Sequence, residues 1–309
     1  MTEVKEFVNG QTTEILSHTA PSHRSYGQGQ DDPYDAQQAH LQTPGSFVVT
    51  TLTATTKVTN LPSSIPYRFP IHRLPTQMKD ESKTPLILVA CGSFSPVTYL
   101  HLRMFEMAND YYKDHPSEYE LVAGYFSPVN DCYRKQGLAA GHHRVTMCQL
   151  ATETTSNWIM VDPWESIQNS YQRTIVVLDH FHQELNVHLG GMTLSDGSVK
   201  QYKIMLLAGG DLINSFGEPN VWADVDLDRI LGIYGCTIIE RTGTDVYGFL
   251  LAHDKLYEHR SKVHVVKQLI YNDISSTKVR LFVKRNMSIK YLLPNPVIKY
   301  IEEQSLYKT

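Results

Sequence analysis

One short stretch of the chain places a glycine, a proline and a histidine at spacings that suit a phosphate site. Residues 86–90 form an apolar run rich in branched side chains, typical of a buried strand, and Gly92 and Pro96 end it. A helical pattern follows Thr98, so His101 falls in the first turn of the predicted helix. Backbone N–H groups at such a turn, together with the positive end of the helix, bind anions. The stretch therefore predicts a nucleotide phosphate site with His101 at its mouth.

A second cluster of hydroxyl and basic side chains lies near the C-terminus. Ser275, Ser276 and Thr277 can cap a helix and offer hydroxyl and N–H groups to an anion. Lys278 and Arg280 add positive charge, and an arginine can hold two phosphate oxygens. By spacing alone, a well-capped surface helix explains this segment equally well.

Two further groups follow predicted strands. Arg134 and Lys135 come after the strand predicted at residues 119–126, where a solvated basic pair is the ordinary interpretation. Gly209 and Asp211 close a strongly apolar strand predicted at residues 202–208. Because ligands bind beyond the carboxyl ends of parallel strands, residues 92–101, 127–136 and 209–222 are expected to converge.

The elements that must position these groups alternate between strand and helix, which predicts a parallel sheet covered on both faces. The expected fold class is α/β, a Rossmann-like doubly wound parallel sheet with a C-terminal helical subdomain. Strands are predicted at residues 86–91, 119–126, 158–161, 202–208, 235–241 and 263–266. Helices are predicted at residues 99–112, 142–156, 166–185, 227–231, 275–284 and 294–304.

Composition divides the chain in two. Residues 1–80 are dominated by Gln, Ser, Thr, Pro and Gly, which predicts a flexible, mostly disordered extension. Such a tail has either no specific function or a regulatory, partner-binding one. A globular domain is expected to occupy residues 81–309.

Charge and cysteine usage exclude several protein classes. The net charge of −4 gives no general case for nucleic acid binding. No apolar run approaches the roughly 20 residues of a membrane helix, so no membrane partner is expected. The four cysteines form no CxxC pair, which is typical of a reduced intracellular protein without a zinc site. These features favour the cytoplasm, the nucleus or both.

The two phosphate segments resemble the signature motifs of the nucleotidyltransferase superfamily. The stretch from Gly92 to His101 is similar to GxFxPxHxGH, with Thr98 in place of the first histidine and Leu100 in place of the glycine. Both departures match the eukaryotic nicotinamide mononucleotide adenylyltransferases, and residues 92–101 and 177–181 resemble the fungal members most. Residues 274–280 resemble the ISSTxxR motif, which in that family holds a triphosphate. Class I aminoacyl-tRNA synthetases have a KMSKS-like second motif instead, and this chain has none.

The resemblance implies specific roles. His101 and Arg280 would stabilise the transferring and leaving phosphates, and Lys135 would hold the attacking one. The implied ATP-binding residues are Gly92, Ser93, His101, Asn272, Ser275, Ser276, Thr277, Lys278, Val279 and Arg280. The implied mononucleotide-binding residues are Ser93, Phe94, Lys135, Tyr171, Thr174, Gly209, Asp211, Val221, Trp222 and Asn272.

The base is expected to lie between two aromatic rings. A cationic pyridinium ring favours aromatic faces, and the resemblance implies that Trp222 stacks on it from one side. Tyr171 would face it from the other side, with Thr174 on the same helix face bonding the carboxamide. Tyr171 also fits the apolar stripe of its predicted helix, so a purely structural role stays open.

The activity implied by the resemblance is transfer of AMP from ATP to nicotinamide mononucleotide, and to nicotinate mononucleotide as well. The products would be NAD or its deamido form and pyrophosphate. Mg²⁺ or another divalent cation would bind mainly through phosphate and water oxygens, in keeping with the lack of a carboxylate cluster in the motifs. A homo-oligomer is expected. The alternatives are a sister enzyme acting on pantetheine phosphate, a flavin precursor or choline phosphate, and a non-catalytic chaperone or binding role.

Overall fold

The computed structural model describes residues 67–308 except residues 116, 219–220 and 241–244, and it describes the backbone of Asp211 without its side chain. Within this part, six parallel strands form one sheet in the order β3-β2-β1-β6-β7-β8. A separate antiparallel pair, β4 and β5, forms a hairpin. The strands are β1 (Thr84–Gly92), β2 (Tyr119–Pro128), β3 (Ile159–Val161), β4 (Met192–Thr193), β5 (Val199–Lys200), β6 (Lys203–Gly209), β7 (Cys236–Glu240) and β8 (Val263–Lys267).

Helices cover both faces of the sheet, which confirms the predicted α/β fold. They are α1 (Tyr99–Asp114), α2 (Gly141–Thr155), α3 (Thr174–His182), α4 (Gly210–Phe216), α5 (Asp224–Arg229), α6 (Val246–Ala252), α7 (Asp254–Glu258), α8 (Ser276–Lys284) and α9 (Asn295–Glu303). Short 3-10 turns span Glu165–Ile167 and Arg260–Lys262, and π-helical turns span Gln183–His188 and Ile230–Tyr234. No helix in the described ranges is long and apolar enough to cross a membrane.

Strand β1 lies at the centre because its side chains are apolar on both faces. Ile87 and Val89 pack into one core cluster with α3. Leu86 and Leu88 pack into the other with α1, α2 and α9. This alternation is the period of a strand, and burial on both faces explains why the run reads as continuously hydrophobic.

The single long helix predicted for residues 166–185 is wrong. The chain makes one 3-10 turn, runs without regular structure over residues 168–173 and then begins α3 at Thr174. The side-chain amide of Asn130 donates to the carbonyl oxygens of Ser166 and Gln168. These carbonyl oxygens therefore accept from a side chain in place of the backbone N–H groups of a continuous α-helix. Ile167, which the periodicity assigned to the buried stripe, is 56% exposed.

The sequence prediction also missed the short helices α4, α6 and α7 and the hairpin β4–β5. Each has seven residues or fewer, too few for a helical or strand period to repeat. The segment of residues 67–80, assigned to the extension, packs onto the domain. The Tyr67 hydroxyl donates to Asp162, the Phe69 ring lies 5.6 Å from that of Phe181, and Met78 is buried in the core. Residues 1–66 lie outside the described residues, and the predicted disorder there stays a prediction.

Candidate active site

The sheet order reverses between β1 and β6, and a cavity of about 230 Å³ lies beyond the carboxyl ends of these two strands. From β1 the chain proceeds outward through β2 and β3, and from β6 outward through β7 and β8. Such a switch point is where doubly wound sheets bind ligands. The cavity brings together ten of the predicted residues: Gly92, Ser93, Phe94, His101, Lys135, Tyr171, Thr174, Gly209, Ser275 and Ser276.

Gly92 is needed because the Phe94 ring packs against its backbone. A Cβ at position 92 would lie 2.9 Å from Phe94 Cζ, closer than packed side chains allow. Phe94 has a left-handed backbone (φ 46°), which turns its ring inward against Phe126 at a centroid distance of 4.8 Å. The ring also meets His101 edge-on at 5.4 Å. The glycine therefore allows the close packing that shapes the loop leading to α1 and His101.

His101 is oriented by the residue that caps its own helix. Thr98 occupies the N-cap of α1 with an extended backbone, as its sequence position predicted. Its backbone N–H donates to Nδ1 of His101 at 2.9 Å, and its hydroxyl lies 2.8 Å from the same nitrogen. Since Nδ1 accepts a hydrogen bond from an amide, the ring proton is on Nε2. His101 therefore offers an Nε2–H donor at the cavity wall.

The segments of residues 92–101 and 275–280, distant in sequence, are joined by hydrogen bonds. The buried Ser276 hydroxyl donates to the Pro96 carbonyl oxygen at 2.8 Å. Arg280 Nη1 donates to the Ser95 carbonyl oxygen at 2.9 Å, and its Nη2 donates to Thr277 Oγ1 at 3.2 Å. The start of α8 is thereby held against the loop before α1, so that both helix N-termini face one cavity.

A buried arginine ties the first loop to the loop after β2. Arg144, on α2, is fully buried, and its guanidinium donates to the carbonyl oxygens of Ser93, Val129 and Ala139. It also bonds the Asp131 carboxylate at 2.9 Å. Burial alone would raise the pKa of Asp131, but the Gly141 N–H and the Arg144 guanidinium lower it. The Arg144 guanidinium therefore holds these two loops in position.

The second wall of the cavity is aromatic. The rings of Tyr133 and Tyr171 stack at a centroid distance of 6.0 Å and an angle of 25°. Burial raises the pKa of the Tyr171 hydroxyl well above its ordinary value, so it is protonated at neutral pH. Lys135 and Thr174 lie on the same cavity. This wall offers an aromatic surface next to an ammonium group.

Residues 89–282 match the cytidylyltransferase-like family. The chain is 63% identical over 241 residues to nicotinamide/nicotinic acid mononucleotide adenylyltransferase 2 of Saccharomyces cerevisiae, covering 78% of this chain and 61% of that protein. It is 64% identical over 242 residues to the Schizosaccharomyces pombe enzyme, covering 78% and 66%. It is 38% identical over 260 residues to adenylyltransferase 1 of Bos taurus, covering 75% and 92%. The chain belongs to the nicotinamide/nicotinic acid mononucleotide adenylyltransferase family.

The chain spans about 61–66% of the length of these two yeast relatives. Among solved structures it is similar to Plasmodium falciparum nicotinic acid mononucleotide adenylyltransferase complexed with APC, with a TM-score of 0.51 and 18% identity. That match covers 72% of this chain and 96% of that one, and it supports the fold.

Seven other residues to which the resemblance assigns a binding role do not line the cavity in the described part of the chain. They are Asn272, Thr277, Lys278, Val279, Arg280, Val221 and Trp222. Trp222 packs edge-on against Phe216 at 4.9 Å, and its Nε1–H donates to the Ser215 hydroxyl at 3.2 Å. The aromatic neighbour of Tyr171 is thus Tyr133 in this structure, and stacking of Trp222 on a base stays a prediction. The side chain of Asp211 lies outside the described residues.

Tyr171 and Thr174 line the cavity as predicted, but the secondary structure that positions them differs from the prediction. They do not share a helix face, because Tyr171 precedes α3 and Thr174 is its first residue. Lys278, exposed at the start of α8, pairs with the Asp273 carboxylate. Asn272 accepts the Ile274 N–H through its side-chain oxygen at 3.0 Å and so shapes the turn before α8.

Sequence reasoning missed Arg144, Glu165 and Tyr133. Glu165 is fully buried at the cavity, accepts the Ser127 hydroxyl at 2.6 Å, and has its pKa raised to about 8, chiefly by burial. Tyr133 directly precedes the basic pair Arg134 and Lys135, which was the one available signal. A buried charge such as Arg144 or Glu165 leaves no periodic pattern in a single sequence.

Carboxylates suited to a metal ion are scarce at the cavity. Glu165 is the one carboxylate in the lining given by the described residues, and it already accepts the Ser127 hydroxyl. Elsewhere, ligand atoms of Asp228, Glu258 and His259 lie within 4.8 Å of one another. Lys255 Nζ already lies 2.8 Å from the Asp228 carboxylate, so an ion-pair network accounts for that cluster.

Proposed function

We propose that this chain transfers the adenylyl group of ATP to nicotinamide mononucleotide, and also to nicotinate mononucleotide, releasing pyrophosphate. The observation that carries the proposal is the pair of bonds from Ser276 to Pro96 and from Arg280 to Ser95. These bonds hold the N-terminal ends of α1 and α8 together at one cavity, which Lys135, Tyr133 and Tyr171 also line. Membership of the adenylyltransferase family supports the same reaction.

The reaction joins two phosphates without a covalent enzyme intermediate. An oxygen of the mononucleotide 5′-phosphate attacks the α-phosphorus of ATP, and the bond to the bridging oxygen of pyrophosphate breaks. The attacking group is already a nucleophile, so the chain needs to supply position and positive charge. We assign Lys135 to the attacking phosphate and Arg280 to the leaving phosphates.

His101 would act as a hydrogen-bond donor. Its Nε2–H is set by the amide of Thr98, and it requires no proton transfer to stabilise a phosphoryl oxygen as negative charge develops. The missing motif histidine at position 98 is therefore not needed for this role, because the Thr98 amide orients the ring.

We propose that Mg²⁺ or another divalent cation accompanies ATP. The described cavity residues do not form a carboxylate cage, so phosphate and water oxygens would hold the ion, and it would neutralise phosphate charge. We also propose that the chain assembles as a homo-oligomer and works in the cytoplasm or nucleus. The four cysteines, all free, support the reducing compartment.

A substrate panel tests the reaction. The full chain is incubated with ATP, Mg²⁺ and one acceptor, which is nicotinamide mononucleotide, nicotinate mononucleotide, pantetheine phosphate or flavin mononucleotide. A separate reaction contains CTP and choline phosphate. Pyrophosphate release and the dinucleotide product are measured. We expect turnover with nicotinamide mononucleotide and nicotinate mononucleotide, and with no other acceptor. Turnover with another acceptor only, or with none, would overturn the proposal.

A further inference from the structure

Ser95, in the loop between β1 and α1, is the point where three other segments meet. It is fully buried, and its hydroxyl accepts the Ala139 N–H at 2.9 Å. The same hydroxyl lies 2.8 Å from the hydroxyl of Tyr307. Its carbonyl oxygen accepts Arg280 Nη1 at 2.9 Å. We call these four residues the Ser95 junction.

Tyr307 reaches the junction because the chain turns back after α9. Ser305 and Tyr307 both have left-handed backbones, with φ of 52° and 63°, and the Leu306 N–H donates to the Ile301 carbonyl oxygen at 3.0 Å. A non-glycine residue in this region is strained and persists only where its surroundings fix it. The Tyr307 side chain packs on the cluster that includes Met147 and Val297. The strained turn thus positions the Tyr307 hydroxyl next to Ser95, in the loop between β1 and α1.

The hydroxyl keeps its proton. Burial raises the pKa of Tyr307 to about 12, against the lowering effects of the Ser95 bond and of the nearby Arg280 and Arg144 charges. A neutral hydroxyl can both donate and accept, so it can pair with Ser95 while the Ser95 oxygen accepts Ala139. The pairing is thus available throughout the neutral range.

We infer that the Tyr307 hydroxyl is a positioning group for ATP, acting through Ser95 on Arg280. Holding Ser95 in place also holds its carbonyl oxygen, which orients the Arg280 guanidinium. The guanidinium also donates through Nη2 to the Thr277 hydroxyl. It also fixes the loop that leads from Phe94 to Thr98 and His101. This inference rests on the proposed function, since it assigns Arg280 to the phosphates of ATP.

A matched control lies seven residues earlier in the chain, on α9. Tyr300, on α9, is also partly buried, and its hydroxyl bonds Nδ1 of His143 on α2 at 2.9 Å. That bond joins two helices and does not involve Ser95 or Arg280. Loss of the Tyr300 hydroxyl removes a comparable hydrogen bond from the same core without touching the junction.

The experiment compares Tyr307→Phe, Tyr300→Phe and wild type in the full chain. Steady-state kinetics are measured for each substrate, together with calorimetric ATP binding and thermal unfolding. We expect Tyr307→Phe to lower kcat/KM for ATP, and ATP affinity, by about 3- to 10-fold, the loss expected for one neutral hydrogen bond. KM for the mononucleotide should change less than about 2-fold, and Tyr300→Phe should stay within about 2-fold on both substrates.

Equal effects of the two Phe variants, or equal losses for both substrates, would overturn the inference, because a general loss of stability would then explain them. Ser95→Ala is the second variant and carries the test if Tyr307→Phe does not fold. It should show the same ATP-selective loss, and the double variant should lose no more than Ser95→Ala alone. Absence of dinucleotide synthesis by wild type would contradict the proposed function, whereas the calorimetric ATP comparison tests the junction independently.

Discussion

The backbone N–H of Thr98 donates to Nδ1 of His101 at 2.9 Å, which places the imidazole proton on Nε2. The signature of the nucleotidyltransferase superfamily usually has a histidine at position 98, yet here the amide of the N-cap residue orients the ring. The Thr98 hydroxyl, 2.8 Å from the same nitrogen, reinforces the arrangement. His101 is therefore positioned by the first turn of its own helix.

Ser276→Ala is expected to destabilise the protein. The substitution removes the hydroxyl that donates to the Pro96 carbonyl oxygen and leaves a buried acceptor without that partner. Such a loss costs about 1–3 kcal/mol in the free energy of unfolding. Urea unfolding measures it, with Ser288→Ala on the exposed surface as the control. A change no larger than that of the control would mean that this bond does not hold the two segments together.

Glu165→Gln is expected to change how stability depends on pH. The folded-state pKa is raised by burial from 4.5 to about 8, so the folded protein keeps a proton that the unfolded chain releases between these values. Wild-type stability therefore falls as pH rises through this window, on the order of 1 kcal/mol per pH unit, relative to a variant without the carboxyl group. Glutamine can still accept the Ser127 hydroxyl.

The measurement is the free energy of unfolding at pH about 5 and about 8. The gain from Glu165→Gln should be larger at the higher pH. Glu303→Gln, on the exposed part of α9, should alter stability little at either pH. A stability difference that does not vary with pH would show that Glu165 is not buried as an uncompensated carboxyl group.

How far the sequence predicted the structure depended on local pattern. The branched run of β1 predicted the centre of the sheet, and the Gly92–His101 spacing predicted the turn and helix start beside the cavity, because both signals are contained in a few consecutive residues. The break before α3 could not be predicted, since it depends on the Asn130 amide, which reaches over from the loop after β2. Arg144 was missed for the same reason: its role is set by carbonyl groups from two loops, the one after β1 and the one after β2.

Trp222→Ala tests the predicted aromatic sandwich. Trp222 packs on Phe216 here, while Tyr133 and Tyr171 line the cavity. If Trp222 stacks on the nicotinamide in the complex, its loss should weaken mononucleotide binding by about 1–3 kcal/mol, the value of a base–aromatic stack. The KM for ATP in the same variant is the internal control and should change far less. An unchanged mononucleotide KM would assign the base to the tyrosine wall alone.

The central claim is that His101 stabilises the transferring phosphate at the cavity between β1 and β6. The direct measurement is the kcat of His101→Ala with ATP and nicotinamide mononucleotide, alongside circular dichroism to establish that the variant is folded. Loss of one preorganised donor is expected to reduce kcat by about 100-fold or more. A folded variant with near-normal kcat would contradict the claim.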